Sequence, residues 1–284
     1  MNARYFTPKL PPSQSPVLNL FQNNGLLALL KDSFKVHTLA ATGALIQVAV
    51  CLVLPLKWAM VPASAVLLNS IITTITQTRQ PSENYAKHVV PGRATAQIPS
   101  TLTGRHGPVP SSEPLVVFNL GTQPNHPLGI LAPGWQEMGD YFSRMSTDLQ
   151  NRKDEYGLIS MSGWRAGDRQ TNNSMLLTFY FRNVEGLNKF ANDKLHREAW
   201  DGYYKSTWQK NIGVFHETFI VRPGDYETMY VNSSPVLLGR GMIKAETKDG
   251  EKYVNTLVSA DVPALKTQWA RLGRSPTGAK TDVL

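Results

Sequence analysis

Two uncharged stretches divided by a single lysine constrain this chain more than any other feature. Val36–Leu56 and Trp58–Thr78 each run 21 residues without Asp, Glu, Lys or Arg, and Lys57 separates them close to Pro55. A helix needs ~20 mostly apolar residues to cross a bilayer, so each stretch is just long enough. Both can cross only if the chain reverses at Pro55-Leu56-Lys57, which makes a helical hairpin with its two ends on one side. Gln47 in the first stretch weakens the apolar signal, as do Asn69, Ser70 and the Thr-rich run to Thr76 in the second. The alternative is a helix pair buried in, or lying on, a soluble domain. Lys31, Lys35, Arg79, Lys87 and Arg93 flank the pair on its shared side. By the positive-inside rule that side is cytoplasmic, which predicts a membrane location, the endoplasmic reticulum, with the remainder of the chain in the cytoplasm. A cleaved signal peptide fits poorly, because the first apolar stretch starts late and no small-x-small site follows it cleanly.

At 284 residues the chain can hold one large domain or two small ones. Cys51 is its one cysteine and lies in the first apolar stretch. That rules out an intramolecular disulfide and a cysteine metal cluster, and it accords with a reducing compartment. The formal net charge of +8 is spread thinly, with no run of five or more basic residues. It reads as membrane-side and C-terminal charge, so no nucleic-acid partner is expected.

Five segments follow. Residues 1–35 hold a short amphipathic piece from Leu18 to Leu30 that would lie on a bilayer surface. Residues 36–78 are the membrane hairpin. Residues 79–114 carry six prolines and read as a linker or extended arm. Residues 115–239 read as one α+β unit, and 240–284 as a polar, mixed tail. Within the α+β unit, Leu115–Leu120 is a short strand. Gly134–Arg152 is helical, with Trp135, Met138, Tyr141, Phe142, Met145 and Leu149 at steps of three and four. Leu158–Trp164 and Ser174–Phe181 are strands, Val184–Ala191 and His196–Trp208 helices, and Gly213–Val221 and Glu227–Val231 strands. The order strand, helix, strand, strand, helix, strand is the split βαβ of a ferredoxin-like fold.

Three histidines could carry chemistry. His216 sits mid-strand, where alternation puts Val214, His216, Thr218 and Ile220 on one face and Phe215, Glu217, Phe219 and Val221 on the other. Whichever face lines a cleft, His216 or Glu217 becomes a candidate acid or base there; either could equally be a satisfied structural group. His196 shares a helix face with Trp200 and Tyr203 or Tyr204, a face that could stack on a flat substrate or simply pack on the sheet. Asn125-His126-Pro127-Leu128-Gly129 is a loop stiffened by prolines, a pocket rim or a plain turn. Candidate catalytic residues are therefore His126, His196, His216 and Glu217. Candidate substrate contacts are Asn125, Trp135, Trp200, Tyr203, Tyr204 and Phe179. No dinucleotide fingerprint, phosphate loop, Gly-x-Ser-x-Gly or His-Glu-x-x-His occurs, so no metal site is expected. No cofactor is indicated, although haem leaves no spacing signature.

Asn125-His126-Pro127-Leu128-Gly129, Gly134-Trp135, His196-Arg197-Glu198-Ala199-Trp200, His216-Glu217-Thr218 and Tyr230-Val231-Asn232, taken in order behind a membrane hairpin, resemble a fungal family. It is similar to antibiotic-biosynthesis monooxygenases, carries such a hairpin, and includes the monooxygenase-like enzyme of the fumagillin pathway. The resemblance covers roughly residues 35–240. It implies a dimeric α+β barrel, a homodimer on a membrane, and a tailoring step on a lipophilic terpenoid or polyketide. It does not settle the reaction: similarity to the norbornene-forming cyclase of sordarin-type biosynthesis sets a cofactor-independent cyclisation, of the Diels–Alder kind, beside oxygenation. A membrane-tethered binding module without turnover is the third possibility, since a fold does not fix a function.

Overall fold

The structure is a computed structural model that describes residues 5–18, 33–165 and 174–279. It forms two compact units, Phe21–Val89 and Met1–Leu20 with Val90–Leu284. The amphipathic piece expected after Leu18 lies outside the described residues.

The first unit is helical. Helix α1 spans Val36–Val53, a single turn α2 spans Leu56–Ala59, and α3 spans Val61–Arg79. Turn and helix together make 24 continuous residues, and α1 has 18. Pro62 stands in the first turn of α3, where its missing N–H costs nothing. Three of the polar residues that blur the sequence signal are bonded locally. Gln47 Nε2 donates to the Ala59 carbonyl at 3.0 Å, across the reversal at Pro55. Thr74 and Thr76 donate their hydroxyls to the carbonyls of Ser70 and Ile72, at 2.8 and 2.9 Å. Side chains bonded back to their own helix expose few free polar groups, which is what hydrocarbon demands. Both helices are long and apolar enough to cross a membrane, and neither α1 nor α3 buries a residue within the structure. Alkaline carbonate extraction is expected to leave the full chain in the membrane pellet. A version with residues 36–79 replaced by a Gly/Ser linker should be released; release of both would refute insertion.

The second unit is built on an antiparallel four-stranded sheet, β3(Leu158–Arg165)–β4(Met175–Phe181)–β2(Leu115–Pro124)–β5(Ile212–Val221). Its order is that of the split βαβ, with β2 and β4 central and β5 at one edge. Helices α4 (Trp135–Asn151), α6 (Val184–Ala191) and α7 (Lys194–Lys205), with the short turn α5 (Lys153–Tyr156) after α4, complete the layer. They cover one face of the sheet, where Val116, Phe118, Phe179, Phe181, Met145, Leu149, Leu187 and Phe190 make the core. Asn183 caps α6 by accepting from Gly186 N at 2.9 Å, and Asp193 caps α7 by accepting from Leu195 N at 3.1 Å. α4 opens at Gly134, whose φ of +87° suits glycine.

The other face of the sheet is partly covered by elements that the sequence reading did not foresee. Strand β1 (Val90–Ala96) lies between β6 (Tyr230–Ser233) and β9 (Leu257–Ser259) in a second sheet. Its core residues Val90, Ala94, Ile98, Leu238 and Leu257 pack against Val117, Tyr180 and Val221. Residues 79–114 are therefore not simply a linker, because they contain β1. Residues 240–279 are more than a polar tail: they hold the hairpin β7 (Met242–Thr247)–β8 (Gly250–Asn255), strand β9 and a last turn α8 (Gln268–Arg271), with Met242, Ile243, Leu257 and Leu265 buried. The strand expected at Glu227–Val231 is β6, and it belongs to this second sheet. The N-terminal segment joins it: Lys9 N donates to the Leu257 carbonyl at 2.8 Å and Ser259 N to the Thr7 carbonyl at 2.9 Å, while Ser13 N reaches the Tyr253 carbonyl of β8 at 2.8 Å.

Candidate functional site

The helices do not close completely onto the sheet. Between α4, α6, α7 and the β2–β5 side a cavity of about 390 Å³ remains. Its walls are mostly apolar: Phe118 and Leu120 from β2, Met138, Phe142 and Met145 from α4, and Val214 from β5. Its polar groups converge from β5, α6 and α7, namely His216 and Thr218, Asn188, and His196 and Arg197. Large apolar pockets with a few convergent polar groups are where ligands bind.

Cross-strand register decides which face of β5 looks inward. His216 stands opposite Leu120 and Thr218 opposite Phe118, both on the helix-covered face. His216 therefore lies against the ring of Phe118, with centroids 5.7 Å apart. Glu217 points the other way, opposite Asn119, and does not enter the cavity; of the two strand faces, the His216 face lines the cleft. His196 reaches the cavity from the first turn of α7 and meets Phe190 edge-on at 5.4 Å. Burial among apolar side chains holds the His196 imidazole below the ordinary histidine value of 6.5. A backbone hydrogen bond at Ala191 and the nearby Asp193 pull the other way, and the proximity of His216 lowers it further. At neutral pH His196 is a neutral imidazole, able to accept a proton or to donate one hydrogen bond.

The remaining sequence candidates fall in four places. Trp200 and Tyr203 line the cavity with His196. The Tyr203 hydroxyl donates to the Ile212 carbonyl at 2.9 Å, so its ring is what the cavity sees. Tyr204 is exposed outside the lining, edge-on to Trp200 at 4.9 Å. Trp135 is buried beside Met138 and Ile212, and Phe179 is buried against Phe118 and Phe181; both are core residues and neither lines the cavity. Asn125 and His126 sit in the β2–α4 loop away from the cavity lining, where Leu128 N donates to His126 Nδ1 at 3.2 Å. Asn188, Arg197 and Thr218 were not anticipated. Thr218 shares the alternation of His216, which was the available signal; Asn188 and Arg197 carry none beyond their helix positions.

A model of the Monooxygenase af470-like family matches residues 115–238, the stretch that holds this cavity. Monooxygenase af470 from Aspergillus fumigatus is 45% identical over 270 residues, which cover 94% of this chain and 97% of that one. The chain belongs to the af470-like monooxygenase family. Its likeness to a named monooxygenase along nearly the whole length makes it a monooxygenase-like enzyme of fungal type. Solved structures resemble it more distantly. SnoaB, a cofactor-independent oxygenase from Streptomyces nogalater, is 13% identical with a TM-score of 0.28, over 38% of this chain and 94% of that one. An aldoxime dehydratase is 12% identical with a TM-score of 0.38, over 52% of this chain and 39% of the other.

Proposed function

We propose that this af470-like protein is a membrane-anchored tailoring oxygenase of fungal secondary metabolism, acting on a lipophilic terpenoid or polyketide. The observation that carries the reading is the pair His196 and His216 brought together in a mostly apolar cavity. An electron-rich substrate would lie against Phe142, Met145 and Trp200 with its oxygenated end toward the histidines. Neutral His196 takes a proton from an activated C–H or O–H, and the substrate anion gives two electrons to O₂. Those two electrons make a hydroperoxide at the substrate carbon; loss of a second proton from that carbon then breaks the O–O bond and supplies the other two, so a CH₂ group and O₂ become a carbonyl and water without a cofactor. Thr218, Asn188 and Arg197 offer hydrogen bonds to the negative charge that develops.

The same donors favour a second reading. Asn188, His196 and Arg197 lie on one side of the cavity and could polarise a carbonyl while the apolar wall folds a polyene for a cyclisation. Exact mass separates the two. Incubation of the membrane-bound protein with the pathway substrate under ¹⁸O₂ is expected to give a product carrying one labelled oxygen, from protein without a haem absorption band. A product of unchanged mass would establish the cyclase, a haem band would move the chemistry to iron, and no turnover would leave a binding module.

We place the protein in the endoplasmic reticulum membrane with this unit in the cytoplasm, because Lys35, Arg79 and Lys87 flank the spans on one side. We also propose a homodimer. The second sheet covers only part of the face opposite the helices, and Phe215 and Phe219 of edge strand β5 stay exposed there, a surface suited to a second copy.

A further inference from the structure

A second cavity, of about 270 Å³, opens where the Lys153–Gly157 turn, the end of β4 and strand β7 meet. A water takes ~30 Å³ of liquid volume, so the space is far larger than one solvent molecule. Three cations line it: Lys153, Arg182 and Lys244. Lys244 is paired with Glu251 at 2.8 Å. Lys153 is buried, and its ammonium donates to the carbonyls of Met242 at 2.7 Å, Pro16 at 2.9 Å and Ile159 at 3.5 Å. Those bonds satisfy its protons without a carboxylate among the partners, and Asp154 acts on its charge only through space. Arg182 lies along the Gly157 turn, and its buried Nη2 has no hydrogen-bond partner. Among the described residues no carboxylate pairs with it; Asp154 and Glu113 act on it only through space. Asp154 also lines the cavity and accepts the Tyr253 hydroxyl at 2.6 Å.

The backbone of β7 adds a donor. Antiparallel strands turn alternate residues toward the partner and away from it. Tyr253 exchanges both its backbone bonds with Ser13, so the 244–253 pair is one that does not bond across the β7–β8 hairpin. The outer edge of β7 already serves Lys153 through the Met242 carbonyl and Thr101 through Glu246 N, at 2.9 Å. Lys244 lies between these two, so its backbone N–H faces the same cavity. An unpaired guanidinium, a buried ammonium and an outward N–H thus surround one space, with Thr101 on its wall. Uncompensated buried cations are costly to keep, and a guanidinium beside a backbone N–H is matched to a tetrahedral oxyanion.

We propose that this cavity binds a phosphate group, either as a free phosphate or as the headgroup of a phosphomonoester lipid. It is separate from the histidine pocket and shares no lining residue with it. The full chain, purified in an uncharged detergent, would be titrated with inorganic phosphate at constant ionic strength by calorimetry. Saturable binding is expected. Arg182→Gln should weaken it by ~10-fold or more, since a charge-assisted pair is lost. Asp154→Asn should tighten it several-fold by removing the carboxylate that lines the cavity, while its amide oxygen still accepts from Tyr253. The gain in that variant keeps the test valid should Arg182→Gln fail to fold. Short-chain phosphatidic acid below its micellar concentration forms the second arm. Tighter binding than phosphate names a membrane lipid as the source, and equal binding names the headgroup alone. No saturable binding of either, in the wild type or in Asp154→Asn, would overturn the proposal, as would binding unaltered by a folded Arg182→Gln.

Discussion

His196→Ala is expected to lower kcat/KM by ~10²–10⁴-fold, the usual range for a positioned acid or base, with folding retained. The side chain stands in a cavity wall and touches the edge of Phe190. Its loss enlarges a space that is already open and removes little core packing. His216→Ala should cost a similar factor. Because the two act in one cavity, the double variant should lose much less than the product of the single losses. The pH profile gives a further check. Catalysis needs neutral His196, whose value lies below 6.5 because burial disfavours its charged form. The acid limb of the rate should therefore fall below pH 6.5, and His196→Ala should abolish that limb. Folding stability follows the same sign. The folded chain binds this proton more weakly than the unfolded one, so stability is intact above about 6.5 and declines as pH drops through the folded value. Full activity in both single variants, assayed on the product, would remove the histidines from the mechanism.

Gly186→Val should be the most damaging single change in the second unit outside the cavity. A Cβ at this position, in the first turn of α6, would sit 2.0 Å from the Tyr156 carbonyl oxygen and 2.9 Å from its carbon. These are backbone atoms at the end of α5, with no rotamer to swing away. The whole helix must move outward, and with it Leu187 and Asn188 of the cavity wall. We expect a loss of ~3 kcal/mol or more, the upper end for overpacking. In a unit of this size that is a fall of roughly 6–12 °C in Tm, accompanied by loss of activity. Gly121→Ala is the instructive contrast. Its Cβ would overlap only the ring of Phe215, an exposed side chain that can rotate out, so a cost below ~1 kcal/mol is expected. Equal thermal melts for Gly186→Val and wild type would show that α6 is not wedged against Tyr156.

Local physics was legible wherever a segment carries its own pattern. The uncharged stretches predict α1 and the 56–79 helix by length alone. The three- and four-residue steps from Trp135 to Leu149 predict α4, and alternation predicts β4 and β5. The same reading placed His196, Trp200 and either Tyr203 or Tyr204 on one helix face; His196, Trp200 and Tyr203 line the cavity and Tyr204 does not. It failed where a segment depends on distant partners. Val90–Ala96 looked like part of a linker because Pro91 and Gly92 mask the strand. Its pairing comes from Tyr230–Ser233 and Leu257–Ser259, far along the chain. The polar 240–279 region failed for the same reason, since Met242, Ile243 and Leu257 are buried within a stretch rich in charged and polar residues.

The sequence by itself determined the apolar hairpin, the order of the ferredoxin-like elements and the residues sharing each helix or strand face, because those follow from helix length and from periods of 3.6 and 2. Tertiary structure alone decided between His216 and Glu217. Alternation makes the two faces of a strand equivalent until helices cover one of them, and here they cover the face of Phe118 and Leu120. It also withdrew Trp135 and Phe179 into the core, and it gathered Lys153, Arg182 and Lys244 around one cavity. A residue's depth and its non-local neighbours are properties of packing, which no single stretch of sequence contains.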